Sequence, residues 1–217
     1  MAASDSARPK FRRRAADRPD ELLDAALTLF VEKGYAHTCV AEIARAAGLS
    51  KGAVYLYFPS KQSILEGLVK RAVAPVAAHV LAAADLAAGN IRDTLRTILT
   101  IVATALGDPK VFAVPRIVLR EAAVAPEIAE MYRRAVFDTV FPAATRMIEQ
   151  AIESGQMRPV DPELTIRSLI GPILAHLLLA EVFGVHPTDG LALDRLVENH
   201  LDILINGLIP APEPCHD

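Results

Sequence analysis

Ser50-Lys51-Gly52-Ala53-Val54-Tyr55-Leu56-Tyr57-Phe58-Pro59-Ser60-Lys61 is the stretch on which the fold turns. Ser50 is a good N-cap, because its hydroxyl can accept from a backbone N–H of the first helical turn. Pro59 cannot continue a helix, and Ser60 can cap the segment that begins at Lys61. A short helix over 51–58 is therefore expected. Val54 and Phe58 stand one turn apart and form its inward edge. Lys51, Gly52, Ala53, Tyr55 and Tyr57 are then mostly outward.

Upstream, Val40, Ile43, Ala44 and Ala47 share one face of a second helix, which Gly48 ends. Further upstream, Leu22, Leu23, Ala26, Leu27 and Phe30 recur at helical spacing, and Gly34 closes that helix. Its start is expected near Pro19, where a missing N–H is harmless, with Asp20 and Glu21 beside the positive end of the dipole. Helix, tight glycine-containing turn and helix make a helix-turn-helix unit over 18–66.

A short helix with small residues at its N-terminus can enter the major groove of duplex DNA, where base edges carry a unique donor and acceptor code. Lys51 can donate to guanine O6 or N7. Tyr57 and Lys61 can donate to phosphate oxygens, which fixes position without reading sequence, and Thr38 can offer its hydroxyl to a phosphate. Residues 1–17 are expected to be a disordered basic arm whose Arg12, Arg13 and Arg14 can enter a narrow minor groove. The expected DNA-facing set is thus Arg12, Arg13, Arg14, Thr38, Ser50, Lys51, Gly52, Ala53, Tyr55, Tyr57 and Lys61.

Together with this helix, Ala25-Ala26, Leu29-Phe30, Gly34-Tyr35, Thr38, Ile43-Ala44, Ala47-Gly48, Ser50-Lys51-Gly52, Tyr55, Tyr57-Phe58 and Ser60-Lys61 resemble the DNA-binding domain of the TetR family of bacterial repressors. The resemblance covers a contiguous stretch and fixes many spacings at once. It implies a homodimer and a small-molecule effector that loosens DNA binding. Cys39 stands where the family often has a second threonine, and Ala41 where it often has a polar residue. These departures leave open an alternative, a helical ligand-binding or adaptor module with vestigial DNA binding.

Downstream, breakers at Gly89-Asn90, Gly107-Asp108-Pro109, Ala125-Pro126 and Gly155 separate helices expected at 61–86, 90–107, 110–122, 127–154, 162–184 and 190–208. Pro75 and Pro172 are expected to kink or split theirs. Residues 67–208 read as a ligand-binding and dimerisation domain, and 209–217, with three prolines, as a flexible tail. The fold class is all-α with about nine helices. In the last two helices Leu169, Ile173, Leu177, Leu196, Leu201 and Leu204 lie at 3–4 spacing and are the expected dimer interface. A mostly apolar pocket with a few polar anchors suits a small ligand; the candidates are His79, Arg116, Arg120, Tyr132 and His176.

Composition agrees with this organisation. Residues 1–70 carry 11 Lys/Arg against 8 Asp/Glu, and the remaining 147 carry 12 against 18, so an anionic partner suits the N-terminal part. Apolar residues are 52% and aromatics 5%, with alanine and leucine dominant, which favours helices. Cys39 and Cys215 are far apart and show neither metal-ligand spacing nor a disulfide framework; Cys39 is expected to be a small buried residue. No secretory leader is expected, and the uncharged run Ser168–Ala180 is too short to span a bilayer. A soluble cytoplasmic protein follows, with no enzyme signature, cofactor or metal.

Overall fold

The computed structural model describes residues 10–85 and 90–208, with side chains described over 18–84 and 90–207. Helices are α1 (Lys10–Lys33), α2 (Val40–Ala46), α3 (Lys51–Tyr57), α4 (Lys61–Asp85), α5 (Ile91–Gly107), α6 (Pro109–Ala122), α7 (Pro126–Tyr132), α8 (Asp138–Glu153), α9 (Pro162–Phe183) and α10 (Leu193–Leu208). A π-helical turn, Arg133–Phe137, joins α7 to α8 without a break, so the described residues form nine helical rods. The all-α expectation holds.

The chain divides into two compact units: residues 10–70 with Ala113–Ala129, and Arg71–Phe112 with residues 130–208. The expected boundary near 66 is close to the first break. The segment Ala113–Ala129, expected in the C-terminal domain, instead clusters with the N-terminal unit.

In the first unit, Leu22, Ala26 and Phe30 of α1, Ile43 of α2, Val54 of α3 and Ile64, Leu65 and Val69 of α4 are fully buried. The rings of Tyr35 and Phe30 pack edge to face at 5.1 Å between centroids. Local signals set the boundaries. Ser50 Oγ accepts from Ala53 N–H at 3.2 Å. Ser60 and Ser63 cap reciprocally, each hydroxyl accepting from the other's backbone N–H at 3.0 Å. Helix α1 departs from expectation at its start: it begins at Lys10, and Pro19 lies inside it. The run Arg12-Arg13-Arg14-Ala15-Ala16 is made of strong helix formers, which carry the helix back through the proline. The arm expected over residues 1–17 is therefore helical from Lys10. Residues 1–9 and the tail 209–217 lie outside the described residues.

The second unit is built on α5, α8, α9 and α10, with Leu95, Leu99, Ile148, Ile173, Leu177 and Leu201 at its centre. Asp161 caps α9 by accepting from Leu164 N–H at 3.0 Å, and Pro162 takes the first helical position. Gln156 Oε1 accepts from Ile91 N–H at 2.9 Å and closes the start of α5. The π turn has a visible cause. Tyr132 and Phe137 pack edge to face at 5.6 Å, and Arg133 donates to both oxygens of Asp138 at 2.8 Å. Both pairs are five residues apart, a spacing that an i→i+5 turn brings to one side and an α-helix does not.

By length and composition alone, α4 and α9 each meet the requirement for crossing a membrane. The expectation from Ser168–Ala180 counted only an uncharged run, whereas α9 carries apolar residues to both ends. Leu164, Leu179, Val182 and Phe183 are exposed on it.

Candidate nucleic-acid interface

Helix α3 is held from behind and open in front. Val54 is fully buried, while Ser50, Lys51, Gly52, Tyr55 and Leu56 are exposed and Ala53 and Tyr57 half-buried. The Lys51 ammonium lies 5.8 Å from the Tyr55 ring centroid, so a cation and an amphipathic ring share one side of the helix. This surface offers N–H and O–H donors from Lys51, Tyr55 and Tyr57 and no acidic side chain. It matches the base edges and phosphates of a duplex groove. Leu56, which sequence reading passed over, is the most exposed large apolar residue described, at 84%. Its position opposite Val54 on the helix was the available signal.

Two residues expected on phosphate turn inward. Thr38 is 1% exposed, and its hydroxyl donates to Gly34 O at 2.8 Å, with Leu29 O at 3.3 Å. One proton serves both acceptors, and none is left for DNA. Thr38 therefore pins the turn between α1 and α2. The Lys61 ammonium donates to Tyr35 O at 2.7 Å and Ala36 O at 3.2 Å and sits 4.4 Å from the Tyr35 ring centroid. It ties α4 to the end of α1, where cations satisfy free carbonyls. Burial lowers the Lys61 pKa, and nearby Glu121 opposes that shift. Burial likewise raises the Tyr35 pKa, assisted by Glu127 and Glu121. Arg12, Arg13 and Arg14 fall in the first turns of α1, and their side chains lie outside the described residues.

Cys39 is exposed, contrary to the buried position expected, because it occupies the N-cap of α2. Glu42 performs the cap there, accepting from Cys39 N–H at 2.9 Å and from Lys33 Nζ at 2.7 Å. The hydrogen bond from Lys33, followed by that from Cys39, holds the Glu42 pKa at about 2. A depressed carboxylate pKa keeps this clamp in place above the ordinary carboxylate range, and it is lost only as pH falls toward 2. Side-chain carboxyl NMR titration is expected to find Glu42 near 2, and Lys33→Met is expected to raise it. An unchanged Glu42 pKa in that variant would remove Lys33 as the cause.

The expected pocket residues divide between the two units, Arg116 and Arg120 in the first and His79, Tyr132 and His176 in the second. His79 and Arg120 are exposed, and Arg120 belongs with the first unit, 3.6 Å from the buried Glu121. Arg116 is half-buried in the same unit. His176 Nε2 pairs with Leu191 O at 2.6 Å. Tyr132 is half-buried, and burial pushes its pKa up to about 12. Four of the six expected dimer residues are corrected. Leu169, Ile173, Leu177 and Leu201 are buried in their own core, and Leu196 and Leu204 are half-buried. A 3–4 stripe marks the most apolar face of a helix, and that face is covered first by the helix's own domain.

Known proteins place this geometry. Residues 22–68 match bacterial regulatory proteins of the tetR family, and residues 83–199 match the tetracyclin repressor-like C-terminal domain. The chain belongs to the TetR family. Curated relatives resemble it at the N-terminal end. The HTH-type transcriptional regulator YuxN of Bacillus subtilis is 52% identical over 44 residues, 20% of this chain and 15% of that protein. The negative transcriptional regulator IcaR of the Staphylococcus aureus biofilm operon is 45% identical over 51 residues, 24% of this chain and 27% of that one. The matched segments thus span less than a third of those relatives. Among solved structures, a TetR-family regulator from Mesorhizobium loti has a TM-score of 0.73 at 21% identity, over 91% of this chain and 99% of that one. SmeT of Stenotrophomonas maltophilia, bound to triclosan, has a TM-score of 0.72 at 24% identity, over 92% and 99%. FadR of Bacillus subtilis with stearoyl-CoA has 0.73 at 21%, over 87% and 98%. These likenesses establish the fold of this TetR-family chain over nearly its whole length.

Proposed function

We propose that this chain is a transcriptional repressor that binds a pseudo-palindromic operator as a homodimer and leaves it when a small-molecule effector binds. The observation that carries the reading is the outer face of α3, which is rich in donors, free of acids and anchored from behind by the buried Val54. One helix of this size reads few base pairs; a two-fold pair reads half-sites about 34–36 Å apart, or a multiple of that. The outward face of α9 suits the dimer: Leu164, Leu179 and Val182 are exposed there, with small Ser168, Gly171 and Ala175 between them. A second copy that covers this face accounts for the apolar length of α9 without a bilayer, as a soluble cytoplasmic regulator requires.

We assign the effector site to the second unit, at Tyr132 beside Phe137 and Phe141; the rings form a chain with centroid separations of 5.6 and 5.2 Å, which supports this reading. Among the described residues of that unit, the buried polar side chains are Thr94, Thr165 and His200, each already hydrogen-bonded. None of these three carries a fixed charge to hold an ionised ligand, so an uncharged aromatic ligand fits better than an anionic one. Triclosan in SmeT is a molecule of the first kind. Helices α4 and α6 each contribute residues to both units, which supports a route by which occupancy shifts the DNA-binding population. Fluorescence anisotropy of a bound duplex tests this with a panel of uncharged phenols and an acyl-CoA. Phenols are expected to release the duplex, and Tyr132→Phe to weaken their action about fivefold, the value of one neutral hydrogen bond. Release by the acyl-CoA alone would overturn the assignment.

A further inference from the structure

Helix α3 advances about 100° per residue, so Gly52 and Leu56 lie nearly opposite the buried Val54. They sit one turn apart, and together they form the part of α3 that faces straight outward. Both are anomalous as surface residues. Leu56 is 84% exposed and is left uncovered by the described residues. Glycine is a weaker helix former than alanine, yet a Cβ at Gly52 would meet only Ser50 Oγ, at 4.0 Å. Gly67 shows the contrast. A Cβ there would lie 2.9 Å from Phe58 Cε1 and 3.1 Å from Leu23 Cδ2, so the packing of α4 explains that glycine. Nothing among the described residues explains Gly52 or Leu56. A gap beside an apolar knob, flanked by Lys51 and Tyr55, is shaped for an external surface that approaches closely.

Among major-groove base edges, one apolar group is presented: the C5-methyl of thymine. We propose that Leu56 is a specificity-determining residue that packs on a thymine C5-methyl, and that the absent side chain at Gly52 lets α3 seat deeply enough to reach it. Leucine has no donor or acceptor, so at this base pair the preference is for thymine by its methyl alone, while Lys51 and Tyr55 supply polar readout on either side. The inference rests on the reading of α3 as a DNA-reading helix.

The test uses the full 217-residue chain and the duplex it enriches from a random pool, with each thymine replaced in turn by deoxyuridine. That exchange removes the methyl and keeps every hydrogen-bonding group. One thymine per half-site is expected to show a loss of about fourfold, the value of one buried methyl-sized group. Leu56→Ala is expected to bind thymine and uracil duplexes equally, as a double-mutant cycle requires when the pair interacts directly. Gly52→Ala is expected to leave the melting temperature unchanged or higher while lowering affinity tenfold or more. The proposal is overturned if uracil is neutral at every position, or if Leu56→Ala shows the same uracil penalty as the parent. It is also overturned if Leu56→Ala weakens thymine and uracil duplexes by one common factor while the parent shows no penalty, which would place Leu56 on the sugar-phosphate backbone. Enrichment of no duplex by the parent chain would instead sink the DNA-binding reading itself, and this proposal with it.

Discussion

Phe30→Ala is expected to destabilise the N-terminal unit by about 3–5 kcal/mol, the range for removing a fully buried aromatic ring. Phe30 is 0% exposed, belongs with Leu22, Ile43 and Val54 to the fully buried residues of this unit, and packs against the Tyr35 ring at 61°. Tyr35 in turn carries the Lys61 ammonium on its ring and its carbonyl. The cavity would therefore loosen both the α1–α2–α3 core and the brace between α1 and α4. Native-state hydrogen exchange resolves the effect by region. Amides of α1, α2 and α3 are expected to exchange faster, while those of α5 and α9 hold. Equal acceleration in α5 and α9 would contradict the division into two compact units, and no acceleration in α1–α3 would contradict the role of Phe30.

Replacing Lys51 and Tyr55 together by alanine is expected to lower operator affinity about 100-fold or more with no loss of helix content. Each good base contact is worth about 1–3 kcal/mol, and a two-fold dimer makes each contact twice. Both side chains are exposed and neither contributes to the buried core, so the loss would report on DNA alone. Lys61→Met makes the complementary case. It is expected to destabilise the joint between α1 and α4, since its ammonium already satisfies Tyr35 and Ala36 carbonyls. Measured together by anisotropy and thermal unfolding, the two variants separate readout from support. Retained affinity in the Lys51/Tyr55 variant would mean that another surface holds the DNA.

Much of this architecture is legible in the sequence because local chemistry decides it. Ser50, Pro59, Ser60, Asp161 and Pro162 act within one helical turn, and the boundaries they mark are the observed ones. What periodicity could not supply is the direction of individual polar groups. Thr38 resembles a surface hydroxyl in sequence but is drawn inward by the carbonyl of Gly34. Cys39 resembles a core residue but sits at a helix cap that Glu42 completes. The five-residue pairs Tyr132–Phe137 and Arg133–Asp138 fall outside the 3.6-residue period, and the π turn went unforeseen for that reason. In α9 the apolar stripe was visible, but the hydropathy of Leu169, Ile173 and Leu177 does not say whether a helix's own domain or a partner covers them. Their own domain does.

The central claim is that α3 places this chain on a specific duplex. Its most direct test is a titration of the chain onto the DNA flanking its own gene and onto a scrambled duplex, at two salt concentrations. Binding is expected to be tight and selective for the first duplex, with affinity falling as salt rises by about 0.9 in log–log slope for each phosphate neutralised. Equal, weak binding to both duplexes, repeated with the duplex enriched from a random pool, would contradict the claim and leave the ligand-binding unit as the seat of function.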